Sequence, residues 1–167
     1  GSEPVIPHFP GEELNNVGWF GDVDKGDVPV GDEVVLIGGG PSGAETALQL
    51  ARDGKRVTLV DRGSEKKAVG RWIKSLDLEL RESGVELVFE HQLDSVTESG
   101  VVLMDKRWRR KAVAADTVIL SLGFSPNNAL STEFEGISSD LYRIGDCERV
   151  ANVMKAVHDG FNVASLL

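Results

Sequence analysis

The unbroken apolar run Val34-Val35-Leu36-Ile37 predicts a short strand buried on both faces. A glycine cluster follows at once. From Ala44 to Arg52 the residues Ala44, Ala47, Leu48 and Ala51 then recur on one side of a helix, with Gly54 as its stop. Arg56-Val57-Thr58-Leu59-Val60-Asp61 reads as a second strand. Strand, glycine turn, helix and strand within about 28 residues make a βαβ unit, whose crossover should be right-handed.

A second helix is predicted over Arg71 to Glu82, with Ile73, Leu76 and Leu80 as its apolar stripe and Gly84 as its end. Val85 to Phe89 returns as a third strand. Leu93 to Thr97, Val101 to Met104 and Trp108 to Val113 are short strand-like pieces, and Glu98-Ser99-Gly100 is a hairpin turn. That stretch predicts an antiparallel meander. Thr117 to Leu122 is again a buried strand, closed by Gly123, and a polar, turn-rich stretch follows from Pro126 to Asp140. Leu141 to Ile144 reads as a short strand with a tight exit at Gly145-Asp146. The last helix is expected from Arg149 to Leu167, with Val153, Val157, Phe161 and Ala164 on one face. Residues 3–31 have no sustained period, so they read as a connecting arm with at most a short strand near Trp19-Phe20.

Composition narrows the class. The chain has 167 residues, 41% hydrophobic and 27% charged, which suits an ordered globular chain rather than a disordered one. No apolar run reaches the roughly 18 residues of a membrane span, and the N-terminus lacks the pattern of a signal peptide. A cytoplasmic location is therefore expected, and Gly1-Ser2 reads as a tag-removal scar. The net charge of −9 opposes non-specific nucleic-acid binding. The basic run Lys106-Arg107-Trp108-Arg109-Arg110-Lys111 is better explained as a solvated hairpin than as an anion site. Cys147 is the single cysteine, which excludes an internal disulfide and leaves a structural thiol as its expected role. His8 and His91 have no ligand set for a metal, and His158 reads as a packing residue.

The candidate chemistry lies in Gly38-Gly39-Gly40-Pro41-Ser42-Gly43. Gly38 tolerates the positive φ of a turn directly after a strand, Gly40 lets the backbone approach a pyrophosphate, and Gly43 permits close packing of helix on sheet. Amides at the helix N-terminus then face the phosphate charge. Asp61, 18 residues beyond Gly43, stands where a ribose 2′-OH acceptor is expected. A carboxylate there favours NAD(H) over NADP(H), while Arg62 offers a cation to a 2′-phosphate. Glu45 in the first helical turn is equally explained by the helix dipole, and Gly123 by a plain turn.

The run Val34 to Ala47 resembles the nicotinamide-nucleotide loop of flavoprotein pyridine nucleotide oxidoreductases. Ala115 to Asn127 is similar to their next shared segment. Tyr142-Arg143-Ile144-Gly145-Asp146-Cys147 with Ala156-Val157-His158-Asp159-Gly160-Phe161 resembles their C-terminal flavin-binding segment. The nearest subset is the C-terminal region of NADH:flavin oxidoreductases of the old yellow enzyme, 2,4-dienoyl-CoA reductase and trimethylamine dehydrogenase type. The resemblance implies an α/β fold, a Rossmann-like three-layer FAD/NAD(P)-binding domain with a parallel sheet and an antiparallel β-meander. It also implies an arm at 3–31, an NAD(P)-binding domain at 32–126 and a returning segment of the flavin-binding domain at 127–167. It sets Glu45, Gly123 and Phe124 near the dinucleotide, and Gly145 and Asp146 near FAD. The FAD or FMN would belong to the full-length parent rather than to this piece.

Such relatives carry an earlier flavin loop that this chain lacks, so the missing flavin domain is its expected partner. A second copy, paired through exposed terminal segments, is the other. The reading that follows is an NAD(H)-binding domain fragment of an NADH-dependent flavin oxidoreductase, nearly inactive alone, with no catalytic acid, base or nucleophile of its own. Two alternatives stay open at this point: a non-redox module that holds ADP, and a complete small dehydrogenase, for which no proton donor is evident.

Overall fold

The computed structural model describes residues 1–137 and 140–166. By internal contacts the chain divides into a larger unit, residues 6–122, and a smaller one made of residues 1–5 and 123–167.

The larger unit is built on a parallel sheet of five strands. In chain order these are β2 (Val17–Trp19), β3 (Glu33–Ile37), β4 (Arg56–Asp61), β5 (Glu86–Phe89) and β9 (Thr117–Leu120), arranged in space as β2-β9-β3-β4-β5. The run that reads as doubly buried is the central strand: Val34, Val35, Leu36 and Ile37 are all buried. Alternation along it feeds two cores. Val34 and Leu36 join Ala44, Ala47 and Leu48 of α2 (Pro41–Arg52) and Leu76 and Leu80 of α4 (Lys74–Glu82). Val35 and Ile37 join Val96, Val101 and Leu103 of an antiparallel meander, β6 (His91–Thr97), β7 (Gly100–Asp105) and β8 (Arg110–Ala114). Helices, parallel sheet and meander thus form three layers, as the resemblance implies.

Several elements differ from expectation. The lead-in carries the short strand expected near Trp19-Phe20, β2, which pairs in parallel with β9 (Val17 opposite Val118), but adds an unexpected helix, α1 (Phe20–Lys25), at once after it. Helix α2 begins at Pro41 rather than Ala44, since proline suits the first helical position, where no amide donor is needed. The helix predicted over Arg71–Glu82 begins only at Lys74, and a short α3 (Glu65–Val69) precedes it. Ile73, expected in the core stripe, is the residue just before α4 and is 69% exposed, whereas Trp72 takes the buried position.

In the smaller unit, β1 (Ser2–Pro4) pairs antiparallel with β10 (Phe124–Pro126). A short helix α5 (Ala129–Glu133), a 3-10 turn at Gly145–Cys147 and α6 (Val153–Ala164) follow. Leu141–Ile144 does not form the expected strand: among the described residues it pairs with no other strand, and its residues are exposed. Helix α6 starts at an Asn152 cap, whose side chain accepts the Lys155 amide, not at Arg149. Its predicted apolar face is uncovered: Val153, Val157 and Phe161 are all exposed, and no described residue beyond Ser121 is buried.

The basic hairpin is mostly neutralised within the chain. Lys106 pairs with Glu90, Arg109 with Asp105, Arg110 with Asp94 and Lys111 with Glu86. The backbone amide of Arg109 leads the interactions that hold the Asp105 carboxyl down at about 2, so this turn is tied by its own acid. Among the described residues no helix is long and apolar enough to cross a membrane, and no cluster of His, Cys, Asp or Glu has the makings of a metal site.

Candidate functional site

The glycine loop occupies the C-terminal edge of the parallel sheet, where the connection leaves β3. From β3 the chain proceeds to β4 and β5 on one side, while β9 lies on the other, which makes this edge a topological switch point. The loops after β3 and β9 touch. Gly38 has φ of 113°, and a Cβ added there would stand 2.1 Å from the Ser121 carbonyl oxygen. Gly43 is confined differently, since its Cβ would meet the Gly38 carbonyl oxygen at 2.1 Å and a Leu36 methyl at 3.0 Å. The fold itself therefore requires glycine at both positions.

Gly40 is different. It is the N-cap of α2, with φ of −70° and ψ of 174°, a conformation open to any residue. An added Cβ would meet no protein atom within 4 Å. The side of the loop that Gly40 faces is thus open, and the glycine there leaves a cradle of bare backbone. The first helical bond runs from the Ala44 amide to the Gly40 carbonyl at 2.9 Å, so the Ser42 and Gly43 amides precede any intrahelical acceptor. These amides and the positive end of the helix dipole suit an anion.

Asp61 ends β4 and is brought against this loop, with 7% of its surface exposed. Its Oδ2 accepts the Gly39 amide at 3.0 Å and the Arg71 guanidinium at 2.7 Å. Its Oδ1 accepts the Gly63 amide at 2.6 Å. Arg71 also donates to the Gly39 carbonyl at 3.1 Å, and the Trp72 indole N–H donates to the same oxygen at 3.0 Å. The loop is therefore braced by Arg71 and Trp72, which the sequence reading missed. Gly63 had a readable signal, since an aspartate commonly binds the amide two residues on. Arg71 and Trp72 had none, because they reach the loop from the break between α3 and α4.

The remaining candidates are dispersed. Arg62 is exposed and lines a shallow groove with Glu90, His91, Met104 and Trp108. Glu45 is exposed on α2 beside a groove lined by Ser42, Thr46, Gln49 and Phe20. In the smaller unit, Gly123 has φ of 90° and its carbonyl accepts the Val5 amide at 2.9 Å, while Phe124 opens β10. Gly145 has φ of 66°, and Asp146 accepts the Ala151 amide at 3.1 Å.

Comparison with known proteins agrees with this architecture. Residues 1–160 match the family model described as pyridine nucleotide-disulphide oxidoreductase. An NADH oxidase from Thermoanaerobacter brockii is 34% identical over 171 residues, covering 98% of this chain and 26% of that protein. The structure of a 2-naphthoyl-CoA reductase in complex with 2-naphthoyl-CoA superimposes with a TM-score of 0.82 at 25% identity, covering 96% of this chain and 25% of that one. Thioredoxin reductase from T. acidophilum shares the fold, with a TM-score of 0.78 at 19% identity over 99% of this chain and 62% of its own. The chain thus spans about a quarter of the length of the first two relatives.

Proposed function

The chain belongs to the pyridine nucleotide-disulphide oxidoreductase family, and from that premise we propose that it is the NAD(H)-binding region of an NADH-dependent flavin oxidoreductase. The observation that carries the reading is Gly40. Nothing in the protein requires glycine there, yet glycine keeps the helix N-terminus bare beside Asp61. A pyrophosphate fits that cradle, with the Ser42 and Gly43 amides donating to it and Asp61 accepting from the adenosine ribose. A dinucleotide held there by the Ser42 and Gly43 amides and Asp61 would supply hydride chemistry toward a flavin of the parent protein. The residues of this chain bind and orient: Gly38 fixes the turn, Arg71 and Trp72 hold the Gly39 carbonyl, and Asp61 favours NADH over NADPH.

The NADH oxidase relative supports a flavin-linked redox role. The finer kinship, with the old yellow enzyme, dienoyl-CoA reductase and trimethylamine dehydrogenase type, draws support from the naphthoyl-CoA reductase likeness. The exposed apolar residues of α6 support a flavin domain as partner, with Gly123, Phe124, Gly145 and Asp146 belonging to the junction with it.

Calorimetric titration with NADH and with ADP tests this reading. NADH is expected to bind at least threefold more tightly than ADP, about 0.7 kcal/mol, through its second ribose and nicotinamide. Equal affinities would favour a module that holds ADP alone, and no uptake of either at millimolar concentration would end the nucleotide reading.

A further inference from the structure

We propose that Arg71 is a specificity-determining residue that works against Asp61 and narrows the margin between NADH and NADPH. The inference rests on the dinucleotide reading above and concerns a residue that the glycine pattern does not include.

A carboxylate offers about four lone-pair positions on its two oxygens. At Asp61, Oδ2 is taken twice, by the Gly39 amide at 3.0 Å and the Arg71 guanidinium at 2.7 Å, and Oδ1 once, by the Gly63 amide at 2.6 Å. A single acceptor position remains, on Oδ1. A ribose diol has two hydroxyl protons to place. Bidentate capture of the diol by Asp61 therefore requires Arg71 to withdraw from Oδ2, and with Arg71 in place the carboxylate takes one hydroxyl.

Arg71 also changes the charge that a 2′-substituent meets. The Asp61 side chain is 8% exposed and that of Arg71 46% exposed, so the carboxylate is sunk while the side chain bonded to it still reaches solvent. A substituent that approaches Asp61 must meet the cation bonded to it. A guanidinium binds phosphate through a planar fork of donors and offsets the repulsion from a neighbouring carboxylate. Asp61 disfavours a 2′-phosphate while Arg71 tolerates one, and the net preference is the difference between them. Arg62, the adjacent cation in sequence, is exposed and faces the groove with Glu90, His91 and Trp108 instead.

Removing Arg71 should leave the loop standing. The Gly39 carbonyl keeps the Trp72 indole donor, and Asp61 keeps the Gly39 and Gly63 amides. The test is calorimetric titration of the 167-residue chain and its variants with NADH and NADPH. Arg71→Gln is expected to raise the ratio of the NADPH to the NADH dissociation constant by about tenfold, the scale of one charge-assisted hydrogen bond. Arg71→Lys keeps the charge but loses the fork, and should raise the ratio by about threefold, which keeps the proposal testable should Arg71→Gln fail to fold. A ratio unchanged in whichever variant folds, with both dinucleotides still bound, overturns the role of Arg71 and leaves the binding site intact. A larger change from Arg62→Gln than from Arg71→Gln overturns it as well. If the unaltered chain takes up neither dinucleotide, the site reading falls and this inference falls with it.

Discussion

Replacing Gly40 by aspartate is expected to weaken NADH binding by about a hundredfold or more while the fold holds or gains stability. The two effects have one cause. Gly40 is the N-cap of α2 in the extended conformation that favours aspartate, and a Cβ there meets no protein atom within 4 Å. The new carboxylate would accept from the same first-turn amides that are open to a pyrophosphate and would answer the helix dipole, worth about 1 kcal/mol of stability. For a chain of this size that is a rise of roughly 2–4 °C in Tm. The phosphate would lose those amides and meet a like charge. Two charge-assisted hydrogen bonds at about 1.5 kcal/mol each already correspond to a factor of about a hundred. Thermal unfolding and NADH titration on the same sample read both effects. A variant of unchanged Tm that binds NADH within threefold of the parent would mean that the loop is a turn and nothing more.

Gly38→Ala should act in the opposite sense and damage the fold before the site. Its φ of 113° is costly for any residue with a side chain, about 1–3 kcal/mol. The added carbon would also lie 2.1 Å from the Ser121 carbonyl oxygen. Relief requires β3 and β9 to separate at their C-terminal ends. Those strands are hydrogen-bonded neighbours, and the Ser121 amide binds the Ile37 carbonyl at 2.8 Å just before the loop. A total of about 3–5 kcal/mol is expected, a large share of the stability of an ordinary domain. The Tm measured by circular dichroism should fall by roughly 10 °C or more. A fall of less than about 2 °C would show that the turn after β3 relaxes freely, contrary to the tight contact described above.

What the amino-acid pattern made legible were the parts governed by burial and by local backbone freedom. Val34 to Ile37 had to be a central strand because both faces of a parallel sheet are covered, and an unbroken apolar run records that. The meander was readable from its alternation and its Glu98-Ser99-Gly100 turn. The juxtaposition of glycine loop and Asp61 followed from strand adjacency, since β3 and β4 pair in register from Glu33 opposite Arg56 onward.

Illegible parts depended on choices between near-equal local options. Ile73 and Trp72 are both apolar and adjacent, and the indole N–H bond to the Gly39 carbonyl marks which of them turns inward. Nothing in the residues around Arg71 signals its bonds to the Gly39 carbonyl and to Asp61. β2 is too short to show a period, and its place beside β9 comes from sheet pairing rather than from its own sequence. The face of α6 was legible as apolar, but no pattern within the chain says what should cover it.

The claim on which all of this depends is that bare helix amides and Asp61 together receive a dinucleotide. A structure of the chain determined with NADH present measures it most directly. The account predicts pyrophosphate oxygens within hydrogen-bonding distance of the Ser42 and Gly43 amides, and an adenosine ribose hydroxyl donating to Asp61. NADH lying in another groove, with the Gly40 cradle filled only by water, would contradict it.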